Sequence, residues 1–164
     1  GPLFSSPQEY MEWYRSYRPE AFEEKWPVCA VLLYRKHVIS ELPYIPQLLN
    51  YLEEKHKVLP LPIFIQGIDA HIAVRDLLSS SWEREAVAAG RVAPNPTLWE
   101  EAVDVDFVVN TIGFPLVGGP AGSMEGGRNA EIAKGILSSL NVPYVVAAPL
   151  LIQDVQSWQE RGVG

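Results

Sequence analysis

A glycine-rich stretch from Asn110 to Leu137 is the part of this sequence best suited to bind a ligand. It reads NTIGFPLVGGPAGSMEGGRNAEIAKGIL and lies between a predicted buried strand and a predicted helix. Glycine permits positive φ and a close approach of the backbone to a ligand. Backbone amides before the helix that we expect to begin at Asn129 could bind a carboxylate, with Arg128 as a forked donor. A structural loop that packs against another domain is the alternative.

Two common phosphate-binding motifs do not fit this stretch. The Walker A motif G-x-x-x-x-G-K-[ST] requires a lysine on the phosphates, and GGPAGSMEGGRN has none. The dinucleotide motif G-x-G-x-x-G follows the first strand of its fold, whereas this stretch follows the third predicted strand and has another spacing. A flavin is also disfavoured, because the segment after the first strand, RKHVISELP, is bulky and lacks glycine.

Polar and glycine residues at the ends of predicted strands complete the set of candidates. Arg35 and His37 follow the first strand, and Asp69 follows the second. The candidate ligand-binding or interface residues are Arg35, His37, Asp69, Asn110, Gly118, Gly119 and Arg128.

We predict no catalytic residue and no metal ligand in this chain. Ser123 is not part of a G-x-S-x-G nucleophile motif. The histidines, His37, His56 and His71, have no metal-binding spacing such as H-x-x-x-H. We expect His56 to be solvated, and His37 and His71 to lie in loops at strand ends, where they could converge.

Strands and helices alternate along the chain and must position these residues. VCAVLLY (28–34) is a continuous apolar run, as in a strand buried on both faces. Further strands are predicted in VLPLPIFIQG, VDFVVNTIGF and VPYVVAAPLL, with Pro60 and Pro62 at a strand start or sheet edge. Helices are predicted in YIPQLLNYLEEKHK, in IAVRDLLSSSWEREAVAAG as one stretch, in a short segment after RVAPNP, in NAEIAKGILSSL and in QDVQSWQERG.

This alternation predicts an α/β fold, a flavodoxin-like, doubly wound parallel sheet of about four strands with helices on both faces. The expected strand order is 2-1-3-4. In such sheets, ligands bind outside the carboxyl ends of the strands, where the strand order reverses. We divide the chain into an N-terminal helical segment, residues 1–25, and the α/β domain, residues 26–164.

The first helix carries a stripe of aromatic residues. Ser6 is the expected N-cap and Pro7 the first helical residue. Tyr10, Trp13, Tyr14 and Tyr17 recur at helical spacing, and we expect them to pack on the domain or on a neighbouring one, the alternative being a stacking role toward a base or ligand. Paired glutamates such as Glu53–Glu54 are interpreted as solvated helix faces, and Trp82 and Trp99 as packing on helix faces.

Composition excludes several classes of function. The 164 residues include 13 basic and 20 acidic side chains, a net charge of −7, which disfavours binding to nucleic acids and to anionic membranes. No apolar run reaches the ~20 residues of a membrane-spanning helix. The single cysteine, Cys29, excludes an internal disulfide and is expected in the core.

Four segments together resemble the large, porphyrin-binding H subunits of the CobN/magnesium-chelatase family. They are LLYRKHVI, LPIFIQGIDAHIAVRD, TIGFPLVGGPAGSMEGGRN and NVPYVVAAPLLIQDVQSW. GFPLVGGPAG and VPYVVAAPLLIQ are the segments most specific to this family. Their sequences resemble the bacteriochlorophyll-type subunits more than the plant-type subunits. The resemblance covers residues 3–164, a small N-terminal-side part of a much larger subunit.

This resemblance implies a domain of an enzyme complex that inserts Mg²⁺ into protoporphyrin IX in (bacterio)chlorophyll synthesis. The expected partners are protoporphyrin IX, an AAA+ ATPase subunit that hydrolyses ATP, a subunit with an integrin-like domain, and other domains of the same large subunit. Mg²⁺ and the porphyrin are substrates, and no firmly bound cofactor is expected. Arg35 and Arg128 could meet porphyrin propionates. The expected location is the cytoplasm of a phototrophic bacterium or the chloroplast stroma.

Three alternatives remain open from the sequence. The chain could belong to a cobaltochelatase-type large subunit, although GFPLVGGPAG favours magnesium. It could be a stand-alone flavodoxin-type module that binds a nucleotide or flavin. It could also be a pure interaction domain, an alternative that the aromatic first helix supports.

Overall fold

The protein folds as alternating helices and parallel strands, described by a computed structural model for residues 4–34, 44–65, 70–111 and 124–146. The helices are α1 (Pro7–Tyr17), α2 (Glu20–Glu23), α3 (Tyr44–His56), α4 (Ala70–Leu77), α5 (Ser81–Ala88) and α6 (Met124–Leu140). The strands are β1 (Val28–Tyr34), β2 (Leu59–Ile65), β3 (Leu78–Ser79), β4 (Val103–Asp104), β5 (Phe107–Asn110) and β6 (Tyr144–Val146).

The main sheet has four strands in the order β2-β1-β5-β6, and each neighbouring pair is parallel. Counted along the chain, these four strands have the predicted order 2-1-3-4. The predicted parallel α/β architecture is thereby confirmed, while a complete flavodoxin-like topology stays a prediction. A separate parallel pair joins β3 to β4.

Helices cover both faces of this sheet, as predicted. All side chains of residues 29–33 in β1 are fully buried. The odd-numbered ones pack with Ile45 of α3, and the even-numbered ones pack in a second cluster with Val74 of α4 and Ala133 of α6. Burial on both sides explains why β1 is a continuous apolar run, and the expected core position of Cys29 is confirmed.

Strand β2 lies at one edge of the described sheet, which confirms the expectation for Pro60 and Pro62. Proline has no amide proton to donate to a neighbouring strand, so an edge position leaves no donor missing from the ladder. The Pro60 carbonyl accepts a hydrogen bond of 2.6 Å from the hydroxyl of Tyr10. Helix α1 is thereby attached to this edge.

Helix α1 begins as predicted, with Ser6 as N-cap and Pro7 as first residue. The Ser6 hydroxyl accepts a hydrogen bond of 3.1 Å from the amide of Glu9, which satisfies one of the unpaired amides of the first turn. Tyr14 is buried and Tyr10 is half-buried, so the expected packing of the aromatic stripe is confirmed for these two rings.

Glu53 does not lie on a solvated face, and that expectation is wrong. Its side chain is only 8% exposed, because α1 packs over it. The Tyr14 hydroxyl donates to Glu53 over 2.5 Å, and Arg18 Nε lies 3.0 Å from the same carboxylate. The neighbouring Glu54 is exposed and pairs with Arg18 Nη2 at 2.7 Å.

The helix expected across residues 72–90 is two helices, α4 and α5, separated by β3. Ser79 pairs with Asp104 of β4 and is fully buried. Ser80 caps α5 by accepting a hydrogen bond of 3.1 Å from the amide of Glu83. Serine side chains that bind backbone groups compete with helical continuation, and here they divide the stretch.

The segment that follows also differs from expectation. Residues 91–102 form turns and irregular structure instead of a short helix, so Trp99 does not lie on a helix face. Trp99 is 38% and Trp82 40% exposed. The third predicted strand, VDFVVNTIGF (105–114), contains β5, which belongs to the main sheet, while β4 precedes it, pairs with β3 and was not predicted.

Helix α6 begins at Met124, five residues before the expected start at Asn129. Gly126 and Gly127 are therefore helical, although glycine costs about 1 kcal/mol relative to alanine in a helix. Buried residues farther along, such as Ala133 and Leu140, tie the helix to the core. The expected helix start is therefore wrong, while anion binding by amides of this stretch stays a prediction, because the first four amides of a helix have no intrahelical partner.

None of the helices in the described ranges is long and apolar enough to cross a membrane. The helix predicted in QDVQSWQERG lies outside the described residues.

Candidate functional site

Asn110 lies at the carboxyl end of β5, in the middle of the main sheet. It is opposite Leu32 of β1 and Val146 of β6 and is fully buried. The strand order reverses between β1 and β5, since β2 lies on the other side of β1. Ligands of doubly wound sheets bind at this reversal, outside the carboxyl ends of the strands. We therefore take this edge, called the carboxyl edge below, as the candidate site.

The Asn110 side chain is held by a neighbour in β6. Its Nδ2 donates a hydrogen bond of 2.8 Å to the hydroxyl oxygen of Tyr144. Burial raises the pKa of the Tyr144 hydroxyl, and the hydrogen bond from Asn110 offsets part of that increase. The phenol is therefore neutral at physiological pH, and the pair can form hydrogen bonds but carries no charge.

Thr111 fastens the end of β5 to β1. Its amide and its hydroxyl both donate to the Leu32 carbonyl, over 3.1 Å and 2.7 Å. The side chain is buried, so both hydrogen bonds are shielded from water. The base of the carboxyl edge is therefore a fixed element on which a binding site can be built.

His71 is the second residue of α4 and not part of a strand-end loop, so that expectation is wrong. Its side chain is 7% exposed. Val74, one turn later on the same helix side, packs in one cluster with Leu32 and Val108. Asn110 alternates with Val109 along β5 and so shares the sheet face of Val108. His71 and Asn110 therefore belong to the same face of the sheet.

The imidazole of His71 has an unsatisfied nitrogen. Its Nδ1 is buried and has no hydrogen-bond partner among the described residues. A buried polar atom without a partner costs about 1–3 kcal/mol. The three-residue spacing between His71 and Val74 puts both on the same side of a helix and could have indicated this burial. That inference requires knowing that α4 begins before His71.

Most of the sequence-predicted candidates lie outside the described residues. These are Arg35, His37, Asp69, Gly118 and Gly119. Arg128 belongs to α6, whose backbone is described at that position. Of the predicted set, the structure thus places Asn110 at the carboxyl edge, and the roles of all seven residues stay predictions. His56 is exposed, as expected.

No group of three or more His, Cys, Asp or Glu side chains able to hold a metal ion occurs within residues 4–34, 44–65, 70–111 and 124–146.

A separate cleft of about 340 Å³ lies between α4, α5 and α6, with Val74, Leu78 and Ile136 in its wall. Its charged residues are engaged elsewhere, since Arg75 binds Asp76 and Glu83 accepts a hydrogen bond from Ser79.

Comparison with known proteins shows where this domain occurs. The family model for CobN/Magnesium Chelatase matches residues 1–164. The magnesium-chelatase H subunit of Chlorobaculum parvum is 40% identical over 134 residues, which cover 82% of this chain and 9% of the relative. The chloroplastic magnesium-chelatase ChlH subunit of Oryza sativa subsp. indica is 28% identical over 167 residues, covering 99% of this chain and 10% of the relative.

The magnesium-chelatase H subunit of Rhodobacter capsulatus is 29% identical over 111 residues, 68% of this chain and 7% of that relative. The chain thus spans about a tenth or less of the length of these relatives. The resemblance noted in the sequence is confirmed, and the chain belongs to the CobN/magnesium chelatase family.

Proposed function

We propose that this chain is a domain of the porphyrin-binding subunit of a magnesium chelatase. In that role it serves the insertion of Mg²⁺ into protoporphyrin IX, a step of (bacterio)chlorophyll biosynthesis. The observation that carries the proposal is the 40% identity over 134 residues to a magnesium-chelatase H subunit. Mg²⁺ and the porphyrin are the substrates of the complex, and ATP is hydrolysed by an AAA+ partner subunit. A third subunit with an integrin-like domain completes the complex.

Within this function, the carboxyl edge contributes to the wall of the porphyrin cavity. The neutral pair of buried Asn110 and half-buried Tyr144 supports this assignment, because it can form hydrogen bonds without placing a charge beside an apolar macrocycle. Cavities for large apolar ligands are lined mainly by apolar groups with a few fixed polar ones. Arg35 and Arg128 are the candidate partners of the porphyrin propionates.

This domain binds and positions, and it does not carry out metal insertion alone. Metallation removes two pyrrole protons and strips water from Mg²⁺, which dehydrates reluctantly. Neither member of the Asn110–Tyr144 pair is a base at neutral pH, since one is an amide and the pKa of the other is raised by burial. The isolated chain is therefore expected to be inactive as a chelatase.

The test uses the full-length large subunit with both partner subunits, MgATP and deuteroporphyrin. We expect formation of the magnesium porphyrin, followed by its fluorescence. The Arg128→Ala variant should show at least about a tenfold higher Kd for the porphyrin, corresponding to loss of one charge-assisted hydrogen bond. Arg84→Ala is the control, because Arg84 is an exposed arginine of α5 that pairs with Asp104. An equal loss in both variants would argue against a propionate role of Arg128.

A cobaltochelatase-type large subunit is the second candidate, and the metal ion separates the two. The relatives described above are named magnesium chelatases, which favours Mg²⁺. If the reconstituted complex inserts Co²⁺ into a corrin-type ring and fails with Mg²⁺ and porphyrin, the second candidate is correct. The proposed location is the cytoplasm of a phototrophic bacterium, with the chloroplast stroma as the alternative.

A further inference from the structure

We propose that the outer surface of α1 docks onto another part of the same large subunit, outside these 164 residues. This surface is formed by Trp13 and Tyr17 and is called the α1 aromatic face below. The inference rests on the proposed function, because it assumes that the chain is one domain of a large chelatase subunit. It assigns to α1 a role separate from ligand binding.

The two rings of the α1 aromatic face are stacked on each other and partly exposed. Trp13 and Tyr17 are stacked with ring centroids 5.0 Å apart and an interplanar angle of 10°. Trp13 is 39% and Tyr17 52% exposed. Phe4 contacts Trp13 at 5.5 Å. Tryptophan and tyrosine are the residues most enriched at the energetic centres of protein interfaces.

The neighbouring side of α1 is attached to the domain, and its rings contact Trp13 and Tyr17. Buried Tyr14 donates a hydrogen bond to Glu53 of α3, and Arg18 binds Glu53 and Glu54. Tyr10 donates to the carbonyl of Pro60. The exposed rings are therefore fixed in position before any partner arrives, which lowers the entropy lost on binding.

The α1 aromatic face lies at the end of the sheet opposite to the candidate ligand site. Helices α1 and α2 pack against Val28 and Leu59, the first residues of β1 and β2. Because these strands are parallel, α1 covers their amino ends, whereas Asn110 lies at the carboxyl edge. A ligand bound at the carboxyl edge would therefore not cover Trp13 and Tyr17.

Charge disfavours a second copy of this chain as the occupant. The chain as a whole carries a net charge of −7, so two copies repel each other. Next to the aromatic face the charges are mixed, since exposed Glu12 and Arg15 lie on α1 and the Arg18 guanidinium lies 5.4 Å over the Tyr17 ring. The complementary surface therefore has an apolar centre and a rim with charges of both signs.

Size favours a partner in the same polypeptide over a separate chain. Even complete burial of both rings would remove at most about 150–250 Å² per ring, whereas a stable interface between two chains buries about 800 Å² on each partner. A small contact suffices when both surfaces are covalently connected, because their effective concentration is high. The relatives are about ten times as long as this chain, so most of their polypeptide lies outside the matched region.

The first test measures whether Tyr17 is covered in the full-length large subunit. Tyr17→Cys and the control Trp82→Cys are labelled with iodoacetamide, and the labelled fraction of the peptide that contains each introduced cysteine is measured by mass spectrometry. Cys29, the cysteine of these 164 residues, is buried and should stay unlabelled. In the domain itself Tyr17 is the more exposed of the two positions, 52% against 40%. We expect the cysteine at position 17 to react at least about tenfold more slowly than that at position 82. Equal or faster labelling at position 17 would overturn the proposal.

The second test identifies the occupant. A photocrosslinking benzoylphenylalanine at position 17 is used in a mixture of ¹⁴N- and ¹⁵N-labelled full-length large subunits, with the two partner subunits present. We expect crosslinks within one polypeptide, to peptides outside residues 1–164. Mixed-isotope crosslinks, meaning a second copy, or crosslinks to a partner subunit would contradict the proposal. Chelatase activity is assayed in parallel, so that crosslinking without activity would refute the proposed function and leave the docking surface intact.

Discussion

The two ends of the main sheet use their polar residues in different ways. At the amino end, buried Tyr14 donates a hydrogen bond to buried Glu53, and the partly exposed Arg18 forms an ion pair with Glu53, which together attach α1 to α3. Nε of Arg18 lies 3.0 Å from the carboxylate but makes no hydrogen bond among the described residues. At the carboxyl edge, Asn110 and Tyr144 form a neutral pair, and Nδ1 of His71 lacks a partner among the described residues. The first arrangement is charged and joins two helices, whereas the second is neutral and lies at the edge where ligands of such sheets bind.

The largest effect is expected from breaking the cluster at the amino end. Tyr14→Ala removes a fully buried ring and should lower the free energy of unfolding by about 3–5 kcal/mol, measured by urea denaturation. Tyr14→Phe keeps the ring and removes only the hydrogen bond to Glu53, so its loss should be about 1–2 kcal/mol. Equal losses in both variants would show that the hydrogen bond, not the packing, dominates at this end.

Two neighbouring glutamates, Glu53 and Glu54, show whether burial determines how much an ion pair at the amino end contributes to stability. Glu53→Gln alters a buried carboxylate that binds Tyr14 and Arg18, and should cost about 1–3 kcal/mol. Glu54→Gln alters an exposed ion pair, which is worth less than about 1 kcal/mol. Urea denaturation of both variants at the same ionic strength gives the comparison. If Glu54→Gln proves as costly as Glu53→Gln, the burial of Glu53 does not matter for stability.

At the carboxyl edge, Asn110→Ala leaves the hydroxyl of half-buried Tyr144 without this donor. We expect a loss of about 1–3 kcal/mol in the free energy of unfolding. In the Asn110→Ala/Tyr144→Phe double variant, both polar partners are absent, so part of that loss should return. A purely additive double variant would show that the two side chains are not energetically coupled.

Alkaline pH affects both ends through half-buried tyrosines. Burial raises the pKa of Tyr10 at the amino end and of Tyr144 at the carboxyl edge. A raised pKa in the folded state means that the stabilisation is complete below the unfolded pKa of about 10 and is lost as pH rises through and above it. Each group can contribute up to about 1.4 kcal/mol of loss per pH unit in that window.

Tyr10→Phe should therefore flatten the decline in stability between about pH 10 and pH 11 more than Tyr144→Phe does, because Tyr10 has the larger shift of pKa. Thermal unfolding of the three proteins across this range measures the effect. An identical decline in all three would show that these hydroxyls titrate alike in the folded and unfolded chain.

The smallest effect is expected for His71. His71→Leu replaces a buried imidazole, whose Nδ1 has no partner among the described residues, by an apolar side chain of similar size. Removing an unsatisfied polar atom is neutral or stabilising, so the change should lie between zero and a gain of about 1 kcal/mol. A loss above about 2 kcal/mol would mean that the imidazole is satisfied in solution.

Local patterns were sufficient to predict the centre of the fold. The apolar run 28–34, the helical spacing of Ile45, Leu48 and Leu52, and the cap Ser6–Pro7 each match the structure. Features created by tertiary contacts were not predictable in this way. Ser79 leaves the helical pattern to pair with Asp104, and Glu53 is buried because α1, distant in sequence, packs over it.

The sequence predicted at which edge of the sheet the candidate site should lie, but not which residues form it. Parallel strands predict a ligand edge at their carboxyl ends, and Asn110 lies there. The burial of His71 depends on where α4 begins, and the helical state of Gly126 and Gly127 depends on contacts of Ala133 and Leu140 with the core. Glycine-rich sequence alone does not distinguish a loop from a helix that tertiary packing stabilises.

The most direct test of the central claim is a porphyrin titration of the full-length large subunit with one variant at each end of the sheet. Deuteroporphyrin binding is followed by quenching of tryptophan fluorescence for the wild type, Asn110→Ala and Tyr17→Ala, after confirming that all three remain folded. We predict a Kd raised by about tenfold for Asn110→Ala, equivalent to about 1.4 kcal/mol, and an unchanged Kd for Tyr17→Ala. An unchanged Kd for Asn110→Ala together with a raised Kd for Tyr17→Ala would contradict the assignment of the ligand site to the carboxyl edge.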